Sequence, residues 1–268
     1  MNASSSPHPV PGPREHALTV TRTADTQWQA LDGDLVVGRA DASNRPDGRL
    51  FVSIDAWHDA ARDRLAATML ADLPAPLHTV ADEADHDAVA AWQRLGFTTA
   101  RRERTYVVPT DPHTTGLAPA RPPAGVTIVP AGQAQEGPLH DLDRTVRDEV
   151  GVGPGWRTMP AEVLPRPAGT TVVDPSKYVV AQQDGRYLGL LRLAPVTRRP
   201  RIGLIAVRAE AQRRGIARTL LAHTLGSLHH AGTASAWAEA DETNTAAIAL
   251  LEGVGAEHVG SILELVRR

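Results

Sequence analysis

The chain contains no cysteine. That excludes a thiol nucleophile, a thiolate-held metal and a disulfide framework, and it suits a reducing compartment. Aromatic residues make up only 4% of the chain, and the formal net charge is −3 over 268 residues. So little charge gives no global field for a nucleic acid or an acidic membrane surface. No window approaches the ~18 apolar residues of a membrane span. Met1 to Arg14 is rich in Ser, Pro and Gly and lacks an apolar stretch. Residues 1–14 therefore read as a disordered tail and not a secretory leader, and a cytoplasmic location is expected. No spacing of His and carboxylates makes a metal site, so none is expected.

One segment stands out among what is present. Gln212-Arg213-Arg214-Gly215-Ile216-Ala217 follows an apolar run, Ile202 to Val207, and opens a helix-patterned stretch from Ile216 to Leu228. A strand running into a basic, glycine-centred turn and then a helix is built to hold an anion. The N–H groups of the first helical turn have no intrahelical acceptor, and the helix dipole adds partial positive charge there. Gly215 lets the backbone approach closely, and the two arginines carry forked donors suited to phosphate. The bland alternative for Arg213 and Arg214 is a solvated helix start.

Pro109 to Gly125 has five prolines and no periodic apolar pattern. Residues 110–125 thus read as an exposed linker between a first block, 15–109, and a second, 126–268. In the second block, Val126 to Val129 is a short strand, and Leu139, Leu142, Val146 and Val150 carry helical spacing up to a glycine-rich break at 151–155. Tyr178 to Ala181 and Tyr187 to Leu193 read as a hairpin about Asp184-Gly185. Ile202 to Val207 is a strand. The next helix buries Ile216, Leu220, Leu221, Leu225 and Leu228, with Gly232 as its C-cap. Ala234 to Ala240 is a strand, Asn244 to Glu252 a helix, and Val259 to Val266 a last strand. Strands alternating with helices after an initial hairpin suggest a mixed α/β sheet.

The first block repeats the second in reduced form. Ala88 to Phe97 (AVAAWQRLGF) lines up with Ala247 to Ala256 (AIALLEGVGA). Upstream, Gly38-Arg39 and Arg49 to Val52 sit where Leu191-Arg192 and Arg201 to Leu204 do. Two matches in the same order at a similar offset indicate an internal duplication. The copies differ at the anion turn: the first continues Asp55-Ala56-Trp57-His58-Asp59, without a glycine and with acidic flanks. That copy is not expected to hold a pyrophosphate; it is structural, or contributes to a substrate wall or an interface.

The strand, the Gln-x-x-Gly-x-Ala turn (Gln212, Gly215, Ala217) and the later Asn-x-x-Ala (Asn244, Ala247), in this order, resemble the GNAT acetyltransferase superfamily. The match covers most of 126–268 and, in weakened form, about 30–109. The chain as a whole resembles tandem GNAT proteins of the mycothiol-synthase-like kind. The resemblance implies an α/β fold of two tandem GNAT-like domains, each a mixed, mostly antiparallel sheet with flanking helices, the N-terminal copy truncated and degenerate. It implies acetyl-CoA as acyl donor, with no metal. The backbone of Ile205, Ala206 and Val207 would pair with the pantetheine arm. The turn of Gln212, Arg213, Arg214, Gly215, Ile216 and Ala217 would cradle the pyrophosphate, and Asn244 would touch the arm near the thioester. Asn244 also reads as an N-cap.

Acyl transfer to an amine needs a base, because an amine of pKa ~9–10 is mostly protonated at neutral pH. By resemblance to ribosomal-protein-type N-acetyltransferases, the base is Glu239, in Ala238-Glu239-Ala240-Asp241; the other reading is a solvated strand carboxylate. The family's acid, a tyrosine seven residues after the asparagine, is replaced by Leu251. In the first copy the corresponding positions are Trp92 and, for the asparagine, Asp85. For the acceptor, Trp156 could stack on a ring and Arg157 meet an anion, or their glycine-rich loop is a packed corner. His140, Asp141 and Glu162 line the pocket or solvate helix faces, and His229-His230 fits dipole compensation. The expected activity is direct acetyl transfer to an amine of a small molecule, by a monomer or homodimer without membrane contact. A non-catalytic acyl-CoA-binding module is one alternative. A transferase using aminoacyl-tRNA is another, and the only one that brings in nucleic acid.

Overall fold

The computed structural model describes residues 18–45, 48–118, 120–151, 173–194 and 199–268. Within them lie twelve strands and six α-helices, an α/β fold whose strand pairings are mixed and mostly antiparallel. Contacts divide the chain into two units: residues up to Ser43 with Leu50–Leu77, and Asn44–Arg49 with His78–Arg268.

In the first unit β1 (Thr19–Ala24), β2 (Gln27–Asp32), β3 (Leu35–Asn44) and β4 (Leu50–Ala56) lie side by side, with α1 (Asp59–Asp72) packed on them. Leu65, Ala66 and Met69 of α1 are fully buried, as is Trp28 of β2. Trp28 Nε1 donates to Asp72 Oδ2 at 2.9 Å, which ties the last turn of α1 to the sheet.

The second unit runs β5 (Leu77–Asp82), α2 (His86–Arg94), β6 (Thr98–Pro109), α3 (Pro112–Thr115), β7 (Val126–Val129), α4 (Glu136–Gly151), β8 (Tyr178–Gln183), β9 (Arg186–Ala194), β10 (Arg201–Val207), α5 (Ile216–His230), β11 (Ser235–Asp241), α6 (Thr245–Glu252) and β12 (Glu257–Arg267). Its strands are ordered β5-β12-β6-β11-β10-β9-β8-β7. The β8–β9 turn has φ of 50° at Asp184 and 77° at Gly185, both positive as a two-residue type I′ hairpin requires. Alternate residues of β8 serve two layers. Val179 and Ala181 join Leu220, Leu221 and Leu225 of α5, whereas Tyr178 and Val180 join Leu139, Leu142 and Val146 of α4. Burial on both faces explains why the strand is continuously apolar instead of alternating. Helix α5 ends as expected at Gly232: Thr233 N–H reaches Leu228 O at 2.9 Å and Gly232 N–H reaches His229 O at 2.9 Å, a Schellman closure.

The duplication is visible in hydrogen bonds. Asp85 caps α2 by accepting from Ala88 N at 2.9 Å, and Asn244 caps α6 by accepting from Ala247 N at 3.0 Å. Asp82 Oδ1 accepts from Ala84 N as Asp241 Oδ1 accepts from Thr243 N, both at 2.9 Å. Phe97 N–H bonds Trp92 O at 3.1 Å, and Ala256 N–H bonds Leu251 O at 3.1 Å. The strand segments match in a register one or two residues from the sequence-based one. Trp57 N–H bonds Val37 O as Arg208 N–H bonds Leu188 O, and Gly38 faces Ala30 as Gly189 faces Ala181. Gly38 therefore corresponds to Gly189, not to Leu191. A Cβ at either glycine would press on the helix above it: it would lie 2.9 Å from Leu65 in the first copy and, more loosely, 3.2 Å from Ile216 in the second. Leu65 inside α1 thus stands where Ile216 begins α5, so in the first copy the helix runs straight through the place of the turn.

The last strands of the repeats are exchanged. β6 closes the first repeat in sequence but pairs with β11 over Ser235↔Pro109 to Asp241↔Glu103, while β12 lies between β6 and β5. This is why contacts group 78–109 with the second repeat. The proline-rich segment is not simply an exposed linker: Thr110, Thr115 and Leu117 are buried, with Leu117 in the α5 layer.

Candidate functional site

β10 and β11 form a parallel pair, but their pairing stops after Arg201↔Trp237 and Ile202↔Ala238. The register of β10 against β9 shifts between Ile202 and Leu204, a bulge that bends the strand. Beyond it β10 continues to Val207 paired with β9, and its other edge faces a cleft of about 740 Å³. Ile205, Ala206, Val207, Gln212, Arg213, Gly215, Ile216, Ala217, Glu239 and Asn244 all border this cleft. Arg214 does not; its Nη2 donates to Gln183 Oε1 at 2.9 Å on the surface. Trp156, Arg157 and Glu162 lie outside the described residues. His140 and Asp141 sit on the face of α4, His140 3.8 Å from Glu136 and Asp141 paired with Arg144.

The turn is built from strained backbone. Arg213 has φ of 62° and Gly215 has φ of 86°. A non-glycine residue in the left-handed region costs about 1–2 kcal/mol, which the turn tolerates once at Arg213 and avoids at Gly215. The first rung of α5 is Thr219 N–H to Gly215 O at 3.0 Å, so the N–H groups of Ile216, Ala217 and Arg218 precede the ladder. Gly215 supplies no side-chain cap. By contrast α1, α2, α3 and α6 each start with a side chain that accepts from the first turn. In α1 that side chain is His58, whose Nδ1 accepts from Ala61 N at 3.2 Å, with Asp59 next to it. The first repeat's helix thus starts with its own side-chain cap and an acidic residue beside it. Gln212 Nε2 donates to Val207 O at 3.1 Å, stapling the turn to the strand end. Glu149 of α4 accepts from Ala209 N at 2.8 Å and holds the approach to the turn.

On β11, Ala236, Ala238 and Ala240 face the α5 layer, which leaves Trp237 and Glu239 on the other face. Glu239 is ion-paired with Arg201, whose Nε donates to Glu239 Oε2. Asn244 is both an N-cap and a cleft residue; its cap uses Oδ1. Leu251 borders the cleft and is only 4% exposed. None of the three tyrosines lines it. Tyr106 hydroxyl donates to Glu252 Oε1 at 3.3 Å, Tyr187 hydroxyl accepts from Gln135 N at 2.9 Å, and Tyr178 is buried against α4.

Several cleft residues escape a sequence reading. Arg147 and Asp143 form a buried bidentate pair at 2.7 and 3.1 Å on α4, legible only as an i,i+4 spacing. Glu103 reaches the cleft because β6 lies beside β11, which nothing local in its sequence announces. Its partner Arg101, at 2.6 Å, also lies 3.7 Å from Asp241 and 3.4 Å from Glu264. Burial disfavours the Arg101 charge, but the bond to Glu103 and the pull of the three carboxylates outweigh it and raise its pKa. Among the described residues no group of His and carboxylates is placed to hold a metal ion, and no helix is long and apolar enough to cross a membrane.

Residues 152–256 match the model of the Acetyltransferase (GNAT) family. Similar solved structures include a tandem GNAT protein from the clavulanic acid biosynthesis pathway (16% identity, 95% of this chain and 84% of that one, TM-score 0.64). A GCN5-related N-acetyltransferase from Sphaerobacter thermophilus gives 14% identity over 92% and 82%, with TM-score 0.61. One from Kribbella flavida gives 15% over 95% and 90%, with TM-score 0.56. At these identities the likeness is one of fold. Comparison with curated proteins gives no match.

Proposed function

Starting from a chain whose residues 152–256 match the GNAT family model, we propose an N-acyltransferase that moves an acetyl group from acetyl-CoA to an amine of a small molecule. The observation that carries this reading is the uncapped start of α5 behind the diverging pair β10 and β11. The N–H groups of Gly215, Ile216 and Ala217 would take the pyrophosphate, with Arg213 and Arg218 adding charge. The open edge of β10 from Leu204 to Val207 would pair with the amide groups of the pantetheine arm, as a strand would. Val207 O, already held by Gln212, leaves that edge for the residues before it.

The acetyl carbon would then lie in the gap by Glu239 and Asn244. The amine nitrogen attacks that carbon, a C–N bond forms and the C–S bond breaks. An acceptor that arrives as ammonium first gives a proton to Glu239, directly or through water, and after the attack the nitrogen loses a second proton, which the CoA thiolate takes. A thiol of pKa ~8.5 leaves without strong acid assistance, in keeping with Leu251 at the place of an acid. The domain arrangement, 126–268 working and 15–109 degenerate, belongs to the same proposal.

The test is calorimetric titration with acetyl-CoA, followed by a CoA-release assay over a panel of small amines. Binding with amine-dependent release supports the enzyme. Absence of acetyl-CoA binding sinks the reading. Leu251 and the missing tyrosine favour a second reading, a module that binds acyl-CoA without turnover; tight binding with no release from any amine selects it.

A further inference from the structure

The walls of the cleft differ in charge. The β10 wall runs into the basic turn with Arg213 and Arg218, with Glu149 at its approach, whereas the opposite wall carries Glu239, Asp241 and Glu103. Glu239 has its own guanidinium, Arg201. Glu103 and Asp241, opposite each other across β6 and β11, share the single guanidinium of Arg101. Arg101 is further divided, because Glu264 also draws on it, together with Arg49 at 2.6 Å and His78 at 3.1 Å. Among the described residues of this network Arg49 and Arg101 face three carboxylates, an excess of negative charge that reaches the cleft at Glu103. The Glu103 side chain is 16% exposed and that of Asp241 4%, so Glu103 is the member that a solute can reach.

We propose that Glu103, delivered by the first repeat through the exchanged strand β6, is a specificity-determining residue for the acceptor, which binds as a cation against this wall. Arg101 acts as a positioning residue: it fixes Glu103 and Asp241 while leaving their combined charge negative. The inference rests on the acyl-transfer reading and names its substrate class, an amine that enters as ammonium. A bipolar cleft suits the two reactants, with the anionic donor on the β10 wall and the cationic acceptor opposite. It also gives the repeat without an anion turn a direct part in the site, because β6 is its last strand.

Binding tests the inference apart from turnover. Cadaverine, benzylamine and the neutral benzyl alcohol are titrated calorimetrically into the full chain with CoA present, for wild type and Glu103→Gln. Both amines should bind the wild type and lose about 10-fold or more in affinity in Glu103→Gln, while CoA affinity stays unchanged. Glu103→Asp should recover part of the loss. Equal amine affinity in wild type and Glu103→Gln, equal binding of benzyl alcohol, or no amine binding at all overturns it. Loss of CoA binding by the wild type would instead remove the acyl-transfer reading.

Discussion

Arg201 and Glu239 are joined across the last paired rungs of β10 and β11, at the apex where the two strands part. The ion pair places the carboxylate at the mouth of the gap and occupies one of its oxygens, Oε2. A base at this point needs its other oxygen for the amine or for a bridging water. Glu239→Gln should therefore lower kcat by about 10²-fold or more, the usual worth of a positioned base, with acetyl-CoA affinity unchanged by calorimetry. A kcat within threefold of wild type would reduce Glu239 to one half of a structural pair.

Gly215 has open space where a Cβ would go, but its φ of 86° is unfavourable for any side chain. Gly215→Val should therefore act through the backbone and not through a clash. A β-branched residue forced into the left-handed region costs a few kcal/mol, or it rotates the turn. Acetyl-CoA affinity should fall at least about 10-fold, while the chain keeps its far-UV circular dichroism. Affinity within twofold of wild type would remove the turn from the binding site.

The strand exchange makes the second repeat incomplete by itself. A fragment of residues 126–268 lacks β6, which pairs with both β11 and β12. Two strand edges that are interior in the full chain would then be exposed, and such edges template aggregation. The fragment should be insoluble or should lack a cooperative thermal transition. A soluble fragment that binds acetyl-CoA would show that the exchange is dispensable.

His223, half-buried on α5, gives a stability signature with a defined sign. Desolvation lowers its pKa from the ordinary 6.5. Below pH 6.5 the unfolded chain then takes up a proton at this position that the folded chain resists, so stability falls as the pH drops from there toward the folded value. Above pH 6.5 the group has no effect. Thermal midpoints of His223→Gln should decline less than those of the wild type between pH 6.5 and 5, and identical slopes would contradict this.

Much of the architecture could be read from local pattern. The type I′ turn at Asp184-Gly185, the strand Val126 to Val129, the Gly232 closure and the helix from Ile216 follow from short-range periodicity and turn chemistry. The Asn244 cap did so too, and the internal repeat marked Asp85, which the structure shows capping α2, as its counterpart. These features depend on residues a few positions apart, so the order of side chains specifies them. The one- or two-residue slip in aligning Gly38 marks the limit: strand registers depend on partners, and Gly189 is recognised only by what presses on it.

The sequence by itself determined that residues 212–217 form a basic strand-to-helix turn, that the first copy lacks one, and that a leucine stands at position 251. Each is a matter of residue type at a short fixed spacing, and local geometry follows from it. Only the tertiary structure decided that Arg214 turns away to Gln183, that Arg201 occupies Glu239, and that Glu103 of the first repeat lines the cleft. Those outcomes depend on which strands become neighbours. Strand order is set by the burial of whole faces in two layers, a long-range free energy that no short stretch of the chain encodes.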